Sequence, residues 1–166
     1  DRWESVLDWC RQEGLSVGLT GTLPKPGTEG DTGVVIEDRL ARHDAVVDHR
    51  GRTSPIELAG AFKRTRVCLS VDSGPLHVAA AVGCPTVAIF GNDADAVGAS
   101  PLALWMPRGS HVLRTVSTAR CGECLAHRFK NDACLLDEHR CMLGVGADQV
   151  IELLEAQLAT SAADGV

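Results

Sequence analysis

The 166-residue chain is 45% apolar, and its 16 basic and 22 acidic side chains give a formal net charge of −6. That size and apolar content suit one globular domain, residues 1–166, with a sizeable core, and no apolar run is long enough to cross a bilayer. The acidic balance lacks the basic footprint of a nucleic-acid surface, so nucleic acid is not expected as a partner and an anionic ligand must be held locally.

From the N-terminus, Trp3, Val6, Leu7 and Cys10 recur at i, i+3, i+4 and i+7 ahead of Gly14, which predicts a helix over residues 2–13. The chain opens on this segment with neither Met nor a secretory pattern, and a piece of a longer protein is expected. A short apolar run over 15–19 reads as a strand, closed by Thr20-Gly21 and a Gly-, Pro- and Thr-rich loop to Gly33. A helix is predicted over 34–43, a short strand over 45–48, and a helix over 55–63, with Ser54 suited to cap it and Pro55 tolerated in its first turn. The continuous apolar runs 67–71 and 86–90 read as strands covered on both faces, joined by a helix over 76–82. An edge strand over 111–116, an irregular insert over 121–141 and an amphipathic helix at 146–159 follow. That last helix presents Val150, Leu153, Leu154 and Leu158, and fraying is expected after Thr160. Strand–helix–strand alternation predicts an α/β fold of the Rossmann-like, doubly wound class with a mostly parallel sheet.

The seven cysteines divide into two groups. Cys10, Cys68 and Cys84 sit singly in apolar segments and read as small core residues. With an odd total and no secretory pattern, reduced thiols in a cytoplasmic compartment are expected. Cys121, Cys124, Cys134 and Cys141 crowd into one polar stretch. Four soft sulfur ligands there fit a structural zinc or a mononuclear iron, with His127 or His139 able to replace one thiol, in an insert spanning 118–142. Disulfides or uncoordinated thiols are the alternatives.

Asp72-Ser73-Gly74 lies between a strand end and a helix start, where open α/β sheets bind ligands. A helix N-terminus offers unpaired N–H groups and a positive dipole, Gly74 permits close approach, and Pro75 gives up an N–H that the helix does not use. This turn suits a phosphate, with His77 adding a donor from the first turn. Asp72 would repel phosphate, which leaves a sugar hydroxyl or the helix N–H groups as its partners. The bland alternative makes Asp72 or Ser73 a plain cap and His77 a half-buried core residue. Neither G-x-G-x-x-G after the first strand nor G-x-x-x-x-G-K-[ST] occurs, which disfavours dinucleotide redox chemistry and P-loop hydrolysis.

The stretch "DSGPLHVAAAVGCPTVAIFG" resembles the donor-site signature of the glycosyltransferase family 9 heptosyltransferases. Outside it, "RWESVLDWCRQEGLSVGLTG" resembles the start of that family's C-terminal half, "GRTSPIELAGAFKRTRVCLS" its preceding helix and strand, and "CGECLAHRFKNDACLLDEHRCM" a cysteine-bearing segment of many members. The resemblance implies the C-terminal, donor-binding half of a two-domain GT-B enzyme that transfers heptose from ADP-heptose to a hydroxyl acceptor with inversion. It implies that Asp72 contacts sugar hydroxyls and that Ser73, Gly74 and His77 hold the diphosphate. By the same resemblance, Arg2 is expected as the counterpart of a basic residue preceding a Trp, Thr20 and Gly21 as lining the adenine pocket through backbone groups, and Glu37, or less favourably Glu29, as the contact to the ribose. The resemblance implies that the catalytic base belongs to an N-terminal acceptor domain outside this chain, so the chain by itself is expected to be inactive. No catalytic metal is expected. A family branch with a four-cysteine iron site adds weight to iron in the insert, and a peripheral membrane acceptor such as a lipopolysaccharide core fits the family. The rival functions are a noncatalytic nucleotide-binding or interaction module and a GT-B transferase using another nucleotide-sugar.

Overall fold

A computed structural model describes residues 2–28, 30–91, 102–119, 136 and 140–163. The chain divides into two compact units, Asp1–Leu58 and Ala59–Val166. In the first, α1 (Arg2–Gln12) buries Val6, Leu7 and Cys10, the face expected from their spacing. The helix stops at Gly14, whose φ of 67° suits glycine. The Leu15 N–H then donates to the Cys10 carbonyl and the Gly14 N–H to that of Arg11, the paired bonds of a Schellman end. β1 (Val17–Leu19) pairs in parallel with β2 (Val46–Asp48), Val17 lying opposite Val46, across the crossover helix α2 (Thr32–Leu40). α2 begins two residues before the expected 34–43 and ends three residues short of it, because residues 41–43 make tighter turns, with the Arg42 and His43 N–H groups donating to the carbonyls of Arg39 and Leu40.

α3 (Pro55–Phe62) starts in a capping box. The Ser54 hydroxyl and main-chain N–H both donate to Glu57 Oε2, and the Glu57 N–H returns to Ser54 Oγ. These donors hold the Glu57 carboxyl below its ordinary range, the main-chain N–H contributing most.

The second unit holds a three-stranded parallel ladder in the order β3 (Cys68–Val71), β4 (Thr86–Phe90) and β5 (Val112–Val116). All five residues of β4 are buried, as a central strand between two parallel neighbours requires, and β5 lies at the edge where expected. α4 (Gly74–Ala81) joins β3 to β4 and sends Leu76 into a core with Ala88, Phe90 and Val112, bordered by Leu102 and Met106. Burying a leucine of this kind contributes about 2 kcal/mol, so α4 is fixed chiefly from beneath.

Two short helices, α5 (Leu102–Trp105) and α6 (Arg140–Leu143), were not anticipated. α6 overlaps the end of the stretch expected to be irregular. α7 (Ala147–Ala163) runs past Thr160, where fraying was expected. It buries Val150 and Leu154 together with Gln157, a polar residue on the same face, seven positions after Val150. The Gln157 amide donates to the carbonyls of Thr86 and His111, tying α7 to β4 and the entry of β5.

Candidate functional site

The turn from β3 into α4 assembles Asp72, Ser73, Gly74 and His77 in a single segment. Ser73 is the N-cap residue in extended conformation, yet its hydroxyl makes no capping hydrogen bond. It lies 3.0 Å from Ser70 Oγ, which itself donates to the Val71 carbonyl, so the proton between the two hydroxyls comes from Ser73. The first-turn N–H groups of α4 lack a capping bond from Ser73, the condition under which a helix N-terminus accepts an external anion. The plain-cap alternative for Ser73 is therefore not met.

His77 is exposed, its side chain 45% accessible, and not a half-buried core residue. Its Nε2 stands 3.9 Å from Asp72 Oδ1, so the carboxylate and imidazole flank the turn on the same side. Leu76 and Ala79, fully buried on the opposite face, hold the helix while His77 and Gly74 stay open to solvent. Ser70 is a participant that sequence reasoning missed. Its only signal was its place two residues before Asp72, on the same face of the strand.

In the first unit, Thr20 and Gly21 follow β1, and the Gly21 carbonyl accepts a hydrogen bond of 2.8 Å from the Gly51 N–H. The loops leaving β1 and β2 thus run side by side at the carboxyl end of the pair. Gly51 has a φ of 66°, a backbone conformation that favours glycine, and a Cβ on it would press on the Leu23 side chain, 2.8 Å from its Cγ. Glu37 lies on α2 with its side chain 55% exposed, 3.7 Å from Arg50 Nη1. Arg50 is itself buried, and its hydrogen bond to Asp48 holds that carboxyl below its ordinary value while raising the guanidinium's own. Arg2 sits in the first turn of α1. Glu29 lies outside the described residues.

Of the insert cysteines, Cys121, Cys124 and Cys134 lie outside the described residues, as do His127 and His139. Cys141 is on α6, against Gly91 at the carboxyl end of β4, where a Cβ on the glycine would come within 3.4 Å of its sulfur. Among the described residues no cluster of three or more metal-ligating side chains occurs. Cys10, Cys68 and Cys84 are buried and form no disulfide, as expected of core residues. Burial pushes the Cys68 thiol up to about 12 and the Cys84 thiol up to about 11, which removes both from consideration as nucleophiles.

Residues 1–119 match the family model described as glycosyltransferase family 9 (heptosyltransferase). The chain belongs to glycosyltransferase family 9. Its fold is shared with the crystal structure of the glycosyl transferase family 9 protein from Veillonella parvula DSM 2008, at 21% identity and a TM-score of 0.64, over 96% of this chain and 41% of that one. It is likewise similar to the E. coli heptosyltransferase WaaC with ADP, at 15% identity and a TM-score of 0.64, over 94% of this chain and 38% of that one. This family 9 chain thus spans about two fifths of the length of these structures, in their C-terminal half. No curated protein matches the sequence. No described helix is long and apolar enough to cross a membrane.

Proposed function

We propose that this chain is the donor-binding half of an inverting heptosyltransferase, taking an ADP-heptose donor whose sugar passes to a hydroxyl acceptor. The observation that carries this reading is the start of α4, where the Ser73 hydroxyl is turned away to Ser70 and His77 stands exposed beside uncapped N–H groups. Such a turn favours a diphosphate over a neutral ligand, because the N–H groups and helix dipole stabilise negative charge. The same donors stabilise the ADP that departs as the bond to the anomeric carbon breaks. Asp72, acceptor-only when ionised, takes hydroxyls of the transferred sugar. Thr20, Gly21, Glu37 and Arg2 are proposed as further nucleotide contacts. The WaaC structure, which holds ADP, supports the choice of nucleotide.

The acceptor hydroxyl's proton goes to a base that this chain does not supply, so donor binding without transfer is expected of it. Cys121, Cys124, Cys134 and Cys141 are proposed to hold a structural zinc or iron, with a cytoplasmic setting for their thiolates. Calorimetric titration of the folded chain with ADP and ADP-heptose tests the function. Saturable binding of both is expected, and failure of both at millimolar concentration contradicts it.

A further inference from the structure

Ser73 holds the N-cap position of α4 with extended backbone, φ −158° and ψ 168°, the conformation from which a cap side chain reaches the N–H of the second or third helical residue. Pro75, the second, has no N–H, so the Leu76 N–H is the target left to it. That bond is not made. The Ser73 hydroxyl donates instead to Ser70 Oγ at 3.0 Å, while the Ser70 hydroxyl donates to the Val71 carbonyl at 2.9 Å. With its own proton engaged on the main chain, Ser70 presents only lone pairs to Ser73 and holds it as an acceptor.

Gly74 clears the same N–H groups from another side. A Cβ on it would meet no described atom within 4 Å, and its φ lies outside the left-handed region, so neither packing nor backbone conformation calls for glycine. Glycine is a poor helix former, and its effect at this position is open space beside the first turn. A withdrawn hydroxyl and an omitted side chain thus leave one small volume free of protein atoms. We infer that Ser70 is a positioning residue, whose hydroxyl oxygen holds the Ser73 side chain off the Leu76 N–H and keeps that donor available to a diphosphate. The inference rests on the donor-site reading above and adds to it the residue that keeps the turn open. Cap and anion compete for one N–H, so a chain without the Ser70 oxygen lets Ser73 close the turn on itself.

The probe is inorganic pyrophosphate, which needs only this turn, titrated by calorimetry into the whole chain, with ADP read alongside. Ser70→Val removes the acceptor, and Ser70→Thr, of the same shape, keeps it; both residues suit a strand. Ser70→Val should weaken pyrophosphate about fivefold, the worth of one competing cap bond, while Ser70→Thr binds as wild type does. In a Ser73→Ala background, where no hydroxyl is left to cap, Ser70→Val should change nothing further. A general loosening of β3 would instead weaken both backgrounds alike. Equal losses in the two backgrounds overturn the inference, as does a Ser70→Val protein of wild-type affinity or a Ser70→Thr protein as weak as Ser70→Val. If Ser70→Val fails to fold by circular dichroism, Ser70→Ala carries the same comparison in both backgrounds, and if wild type binds ADP but not pyrophosphate, the comparison is read on ADP. A wild type that binds neither means that the donor-site reading itself has failed, and the role of Ser70 falls with it.

Discussion

His77, the proposed diphosphate donor, stands clear of the core. Its helix is anchored by Leu76 and Ala79 from the other face, so truncating the imidazole removes the proposed ligand contact and little packing. His77→Ala should weaken ADP by about 1–3 kcal/mol, roughly 5- to 150-fold in Kd, with an unchanged circular dichroism spectrum and melting temperature. A variant that unfolds instead would return His77 to a structural role. Asp48 carries the opposite kind of weight. The Arg50 fork holds its carboxyl below the ordinary value, so its stabilising contribution is complete above the unfolded-state value near 4 and is lost as pH falls through the depressed folded value. Asp48→Asn should flatten the loss of stability below pH 4 seen on acid titration by circular dichroism. An acid transition identical to wild type would show that the pair contributes nothing to it.

At the level of elements, the parts read most closely from sequence were those whose burial is simple. The run 86–90 became β4 with the same bounds because a strand covered on both faces has no polar break to blur its ends. The Leu76-to-Val82 helix was anticipated, but not the diversion of Ser73 to Ser70, since nothing local to a Ser distinguishes a cap from a partner of another hydroxyl. Arg50 was invisible for a related reason. In "VVDHRGRTS" it reads as one of two solvated loop cations, and only the pairing of β1 with β2 brings it under Asp38 and Glu37. Gln157 was passed over because its burial depends on two carbonyls contributed by other elements. The cysteine-bearing insert extends these arguments to a metal. Protein prepared without added zinc should contain one zinc or iron per chain by elemental analysis, and a chelator that removes it should speed alkylation of the insert thiols. Substoichiometric metal with rapid native-state alkylation would leave thiols or disulfides in its place.

For the molecule as a whole, a net charge of −6 makes the proposed handling of an anionic ligand a local matter, assigned to one helix N-terminus and its neighbouring imidazole rather than to a basic surface. Family membership and the parallel α/β architecture agree with that economy, because folds of this class place ligands at the carboxyl ends of their strands. The chain spans about two fifths of the length of the solved structures it matches. ADP titrated into the folded chain by calorimetry tests this account most directly. One site per chain, saturating below roughly millimolar concentration and weakened by His77→Ala, is the expected result. A folded chain that releases no heat and shows no saturable binding with ADP or ADP-heptose across that range would contradict it.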